Sequence, residues 1–588
     1  MKKNYFLWTL IIFLSLSSCL PVSDQVEVKD VPVFDIDLSI DDDASPAELE
    51  QYQVATIQPI FKQEQQYIPY VTLEQYATLY NRRLKEEARS VITNAGSTTT
   101  WQIFVDDNLY FFSAISYLKK TIIKAGDISN AFKSDDDPTE TKALSFSFKS
   151  TGRSVQVGKN NYETYSFADI SLRRLTYERA FYYPLGFLDL TYSDSSSVYH
   201  FFNYYGIYET RDVENFANKQ LIFENEVQTV DSQMALYRQH LVMPTYLINY
   251  NANMFFYTMD NFYGLKTSKG LTTMKQFLRS RNAYYDLFST DDFIRGCAYY
   301  TALSLLDDGH TAVISTNDTW GEKETGSLFV GEITKSRGLE YRELVKVRNE
   351  QVDNPTFFSE EGVRYSDSGQ TAVVIFDAFS FGKDAEVFNP DDSLKSDAYL
   401  YDTYIRIVKD LNAIKSKATV ENVILDISMN GGGALGVMMK LLALISKDNN
   451  GFVHMYNDSA EYIYIYDFAI DSNYDKNFDT SDAFGNDFNF YIATSAVSYS
   501  AANAYAFYAD ISESATIIGR NSGGGECAIS VHYLPNSQYV YHSSNLHIGY
   551  YDEIEGNFWG DESGVTPEIY FDDYNTYGDP NAIEELIG

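Results

Sequence analysis

The sequence predicts a layered α/β core in its C-terminal half, preceded by a helical segment and an N-terminal mixed domain. Three observations carry this reading. From residue 371 to 518, short β-branched runs alternate with apolar helical stretches, the order that builds a sheet with helices packed on it. The 588 residues suffice for about three or four domains. Apolar residues make up 45% of the chain, enough for a sizeable core, which excludes global disorder.

The N-terminus comes first in order. Lys2 and Lys3 precede an almost wholly apolar run over 5–16, and Ser17 and Ser18 lead to Cys19. A basic start, an apolar stretch and small residues at a cleavage point form a secretory signal, and the run is too short for an ordinary spanning helix. With Cys at the cleavage position it resembles a bacterial lipoprotein signal, in which the thiol takes lipid and becomes the new N-terminus. The expected organisation is a signal peptide over 1–18 and an acidic tether over 19–45, with Cys19 lipidated. The body is then extracytoplasmic and held on a bacterial membrane. Residues 20–50 hold ten acids against one base, Lys29, which makes a solvated, self-repelling spacer.

Residues 46–240 form the mixed domain. Helical spacing of apolar residues predicts helices over 71–92 and 109–123, and aromatic alternation marks 162–208. Residues 241–335 form the helical segment. Helices are expected over 243–306, punctuated by Gly270 and by the N-cap cluster Ser289-Thr290-Asp291-Asp292. Residues 336–588 form the core. Strands are expected over 371–376, 422–427, 488–493 and 515–518, with helices over 394–414, 434–445 and 501–508.

Charge narrows the function. Lys plus Arg number 45 against 82 acids, a formal charge of −37, which argues against a nucleic-acid partner because such surfaces are basic. Of three Cys, Cys297 and Cys527 remain after lipidation, and spacing does not decide whether they pair. Residues 471–482 place oxygen-bearing side chains at several positions of a calcium loop. Lys476 replaces the turn glycine and Asp482 the bidentate glutamate, so a solvated acidic loop is the better reading and no metal is expected.

Four segments carry chemistry. Asp426-Ile427-Ser428-Met429-Asn430-Gly431-Gly432-Gly433 leads from a strand into a helix, and its glycines let backbone N–H groups approach a ligand at a helix N-terminus. A tight strand-to-helix turn would need nothing more. Ser500 follows a strand and opens a small-residue helix, either as a simple N-cap or as a nucleophile at a helix mouth. His310, one of seven His, lies in Asp307-Asp308-Gly309-His310-Thr311 at a helix end, where a dipole contact alone could explain it. Asp561 and Glu562 precede Gly564-Val565-Thr566-Pro567.

Together, in this order, these segments resemble the C-terminal processing peptidase family, serine peptidases with a crotonase-like core, over roughly residue 291 to the C-terminus. The resemblance implies hydrolysis of peptide or protein substrates without a cofactor. It places Ser500 on the nucleophile, Gly432 with Gly431 and Ala501 on the oxyanion hole, and His310 on the base of the tricorn-like branch. Glu562 falls on the acid that supports that His, with Asp561 as its rival.

The chain departs from the family at three points. Gly309 stands where that branch has Ser. The tail-specific branch takes its base from a Lys about 25 residues after the nucleophile, where this chain has Gly525, and no Lys follows Ser500. Between residues 311 and 371 there is too little chain for the family's PDZ domain. The alternative function is a non-catalytic binding or scaffold lipoprotein on the same fold.

Overall fold

A computed structural model describes residues 60–62, 65–81, 84–126, 146–158, 162–168, 175–177, 180–192, 196–201, 204–209, 220–223, 226–229, 243–314, 331–352, 363–391, 393–535 and 538–588. The signal, the tether and Cys19 lie outside the described residues. Among those described, no helix is long and apolar enough to cross a membrane.

The centre of the C-terminal half is a six-stranded sheet. Its strands run in the order Val363–Tyr365, Thr371–Ile375, Asn422–Asp426, Asn489–Thr494, Thr516–Gly519 and Ile569–Tyr570. The first pair is antiparallel and all the others are parallel. Alternate residues face two separate layers. Val374, Val423, Leu425, Ile492 and Ile517 pack on helices Thr403–Lys415, Leu435–Ile445 and Ala501–Ile511. Val373, Ile424, Ala493 and Ile518 pack with Leu344 of Glu332–Val352 and Ile583 of Pro580–Ile587. A parallel sheet covered on both faces needs apolar residues at nearly every position, which is why these strands read as continuous runs.

The expected core strands are present to within two residues. The helix expected over 394–414 starts later, because Asp402 caps it by accepting from Ile405 N–H at 3.0 Å, and Ala398–Leu400 is a separate single turn. The helical run is also present, as Thr245–Phe262, Met274–Ser280 and Asp292–Ser304. Asp291 supplies the N-cap of the last helix by accepting from Ile294 N–H at 3.1 Å.

The N-terminal expectation fails in detail. Residues 109–123 belong to two strands, Asn108–Ser116 and Thr121–Ala125, and residues 71–92 span a strand end, the helix Leu73–Asn81 and the strand Ala88–Ala95. Turn chemistry explains the error. Asp106 and Asp107 both take positive φ (48° and 59°), closing a hairpin between Thr98–Val105 and Asn108–Ser116, as Gly96 (φ 59°) does one hairpin earlier. Asp-Asp is a weaker turn signal than Asn-Gly, so helical spacing prevailed in the sequence reading.

The boundary at 240 also does not separate two bodies. Strand Phe148–Gln156 pairs along its whole length with Tyr462–Ile470, inside a seven-stranded antiparallel sheet that also holds Ala312–Ile314, Gly451–Asn457, Cys527–Tyr533, Tyr539–Asp552 and Asn557–Gly560. The boundary at 335 falls inside the helix Glu332–Val352, which packs on the core sheet. That helix occupies the middle of the stretch judged too short for a PDZ domain.

Cys297 and Cys527 are both buried free thiols, so they do not pair. The acidic loop closes on its own amides. Asp471 accepts from Asp475 and Lys476 N–H, and Asp482 accepts from Ser472, Asn473 and Asp479 N–H, at 2.9–3.2 Å.

Candidate active site

Two parallel strands and the turns that follow them build the Ser500 side. The turn after Asn489–Thr494 is pinned beneath the end of the neighbouring strand: Ser498 Oγ donates to Ile427 O at 2.8 Å and Ser495 Oγ to Ser428 O at 2.5 Å. Ser500 then opens the helix Ala501–Ile511 with φ 57° and ψ −124°, a backbone state that is strained for a residue with a side chain. Two main-chain hydrogen bonds hold it there. Its N–H donates to Gly524 O at 2.9 Å, and its carbonyl accepts from Ala504 N–H at 2.9 Å. The hydroxyl, half-buried, takes no hydrogen-bond partner among the described residues, so it is not acting as an N-cap. Ala501 N–H, beside it in the first turn of the helix, likewise has no acceptor among the described residues, which leaves a donor with positive dipole character next to the hydroxyl.

Gly432 does something other than expected. Gly432 N–H already donates to Asn430 Oδ1 at 2.8 Å, and Gly431 is exposed. Of the expected oxyanion donors, Gly432 N–H is taken, while Ala501 N–H and the exposed Gly431 N–H have no acceptor among the described residues. The contribution of Gly432 is room: a Cβ there would lie 2.9 Å from Ser500 Cβ and 2.8 Å from Tyr499 O, at φ 109°. Asn430 is the residue the sequence reading passed over. It is fully buried, donates to Phe376 O at 3.3 Å and accepts Tyr499 N–H on its carbonyl at 3.2 Å, thereby tying the glycine turn to the Ser500 turn.

The triglycine stretch 523–525 straps the other side. Gly523 N–H donates to Ser498 O at 2.7 Å. A Cβ on Gly525 would lie 2.6 Å from the Tyr499 ring, and one on Gly524 would collide with the Glu562 carbonyl. The place of the tail-specific lysine is therefore closed to any side chain, as well as lacking one.

His310 is buried, 5% exposed, just beyond the helix Asp292–Ser304. Its ring centroid is 4.7 Å from that of Tyr499, the residue before Ser500. Neither ring nitrogen has a hydrogen-bond partner among the described residues, so no bond to Ser500 or to Glu562 is formed here. Burial pushes the imidazole below its ordinary value; Asp308 opposes this and Arg337 adds to it. The ring is thereby kept neutral, the form that accepts a proton.

The carboxylate that organises this side is Asp308 rather than Glu562 or Asp561. Asp308 accepts His310 N–H at 2.9 Å and Tyr499 OH at 3.3 Å on one oxygen, and Ser543 Oγ at 2.9 Å on the other. Glu562 instead exchanges hydrogen bonds with Glu526: each backbone N–H donates to the other's carboxylate, at 3.1 and 3.2 Å. Burial, with Asp308 nearby, pushes its carboxyl up to about 7. Asp561 is buried against Asn503, and burial likewise raises its carboxyl. Asp308 stood in the quoted motif, and only its contacts with Tyr499 and Ser543, far along the chain, reveal its part.

Gly309 is explained by its surroundings. A Cβ there would lie 2.7 Å from Tyr499 Cζ and would strike Arg337. The Arg337 guanidinium lies 3.8 Å over the Tyr499 ring and donates to Gly523 O at 3.2 Å, filling the space a serine would need.

Residues 397–571 match peptidase family S41. That segment is an S41 peptidase domain. It spans Ser500, the glycine turn and Glu562, and leaves His310 to the preceding part of the chain. The enzyme class is serine-type peptidase. Among curated proteins none matches the chain. Solved structures similar to it include a peptidase candidate from Parabacteroides merdae, at 16% identity and a TM-score of 0.40, covering 58% of this chain and 96% of that one. Mature CPAF aligns at 11% identity and a TM-score of 0.36, covering 58% and 96%. The photosystem II D1 C-terminal processing protease aligns at 16% and 0.26, covering 39% of this chain and 52% of that one.

Proposed function

We propose that the protein is an extracytoplasmic serine endopeptidase, tethered to a bacterial membrane through a lipid on Cys19. Ser500 Oγ attacks the scissile carbonyl, and His310 accepts its proton and passes it to the leaving amine. Ala501 N–H stabilises the oxyanion at the helix mouth. Asp308 positions His310 through the backbone and through Tyr499. The observation that carries this reading is the pairing of two unsatisfied groups on either side of Tyr499: a strained Ser500 with a free hydroxyl, and a buried His310 with two free ring nitrogens. A buried imidazole without a partner is costly, and such a site persists where a substrate or a nucleophile completes it.

The S41 domain supports the peptidase class, and the N-terminal sequence pattern supports the lipid tether. A fluorophosphonate probe tests the chemistry. Labelling of the wild type that is lost in Ser500→Ala is the expected result. A well-folded wild type that takes no label would favour the binding-scaffold reading. Cys19→Ala should release the protein from membranes or block its processing, and unchanged membrane association would remove the tether from the reading.

A further inference from the structure

Behind the strap that holds Ser500, three strands of the antiparallel sheet converge. Cys527 and His547 are cross-strand partners on Cys527–Tyr533 and Tyr539–Asp552. His547 also pairs with Tyr456 on Gly451–Asn457, and Asp458 follows in the next turn. The ladder is irregular just after Cys527, the usual mark of a strand that re-aims a side chain. Glu526 Oε1 lies 2.7 Å from His547 Nδ1, and Cys527 Sγ lies 3.5 Å from the same nitrogen. The three donor atoms all lie within 4.8 Å of one another. On the far side of the ring, His547 Nε2 is buried without a hydrogen bond, 3.7 Å from Asp458 Oδ2.

We infer that Glu526, Cys527 and His547 form a binding site for a divalent transition-metal ion of the zinc class. A carboxylate, a thiolate and an imidazole are the ligand types zinc takes, and bond lengths of about 2.0–2.3 Å put tetrahedral ligand atoms about 3.4–3.6 Å apart. The sulfur-to-nitrogen distance already matches, the Glu526 oxygen has to retreat from Nδ1 by less than about 1 Å, and no two of the donor atoms are more than 4.8 Å apart. Two donors converging on one ring nitrogen is the arrangement a shared ion requires, since a single N–H bonds well to only one of them. The thiol and Nδ1 give up their protons to solvent when the ion binds. Asp458 then receives Nε2–H, the outer carboxylate that metal-bound histidines commonly use. Three protein ligands leave a fourth position for water.

The site adjoins the catalytic strap. Glu526 exchanges hydrogen bonds with Glu562, and Gly524, two residues before Glu526, holds Ser500 N–H. The inference does not depend on the peptidase reading, because its test reads the metal.

The experiment titrates the untagged, reduced full chain with Co²⁺ and then with Zn²⁺. The expected result is a near-ultraviolet thiolate-to-cobalt charge-transfer band that zinc abolishes by displacement. Cys527→Ser should remove the band, and His547→Ala should weaken zinc binding by at least about 100-fold. Asp458→Asn should weaken it by about 10-fold, as loss of an outer partner does. Cys297→Ser should change nothing. A wild type with no charge-transfer band, or a band that survives Cys527→Ser, overturns the site. Should the Cys527 variant not fold, X-ray absorption of the zinc-loaded wild type decides alone: one sulfur in the coordination shell is expected, and a shell of nitrogen and oxygen only overturns the inference.

Discussion

Ser500 is held by main-chain hydrogen bonds from its own helix and from the triglycine strap, whereas His310 is held by a single backbone bond to Asp308 and by packing against Tyr499. The Ser500 side is a stiff turn on a parallel sheet, built where strands end and helices begin. The His310 side is a side-chain assembly in which Asp308, Tyr499, Arg337 and Ser543 meet from four distant stretches of chain. The difference teaches where each half is vulnerable: one to any added Cβ, the other to the loss of one charge or ring.

The largest expected effects would remove either half outright. Ser500→Ala and His310→Ala should each lower kcat/KM by about 10³-fold or more while the fold survives, as measured on an unstructured peptide with circular dichroism as control. Wild-type-like rates in His310→Ala would dismiss it as the base.

Next comes crowding of the stiff half. Gly432→Ala places a methyl group against Ser500 Cβ at positive φ, so activity should fall about 100-fold and stability by about 1–3 kcal/mol. Calorimetry and kinetics on the same preparation check both. Gly309→Ser, which restores the residue of the related branch, should impair rather than improve activity, because Tyr499 and Arg337 occupy its space. A gain in rate would mean that Arg337 moves aside at no cost.

Smaller effects probe the side-chain half. His310 lies below its ordinary value of 6.5 because of burial, so its neutral, base-competent form persists on the acid side of 6.5. The acid limb of kcat/KM should therefore lie below pH 6.5. Asp308 pulls the imidazole upward. Asp308→Asn should thus move the limb further down while costing about 10-fold in rate at neutral pH, and a limb that moves up would contradict this electrostatic assignment. Glu562→Gln should have the smallest effect, less than about 3-fold, since that carboxylate bonds to Glu526 N–H and not to His310. A loss as large as that of Asp308→Asn would return Glu562 to the role the family resemblance gave it.

Much of the Ser500 half was legible in the sequence, because its signals are local. Residues 422–433 and 489–511 encode strand, turn and helix within a few residues each, and the glycines mark where backbone must approach backbone. A parallel sheet buried on both faces writes continuous apolar runs, so its strands could be read to within two residues. The absence of Lys after Ser500 was likewise plain, and the structure adds that Gly525 has no room for one.

Pairing across long sequence distance was not legible. Strand Phe148–Gln156 carries no mark that it joins Tyr462–Ile470. Gly432 gave no sign that Asn430 takes its N–H. Glu562 and Asp308 are both acids beside turns, and only the folded chain turns one toward Glu526 and the other toward His310, Tyr499 and Ser543. The sequence by itself determined the sheet and the strand-to-helix turn at Ser500, because backbone periodicity and glycine conformational freedom act over one or two turns of chain, while the expectation of His310 came from the family resemblance. Tertiary structure alone decided which carboxylate faces the imidazole, that Asn430 takes the Gly432 amide, and that Glu526, Cys527 and His547 bring their donor atoms together. Hydrogen-bond partners and ligand sets are fixed by distances of a few ångströms between residues that the chain itself keeps tens to hundreds of positions apart.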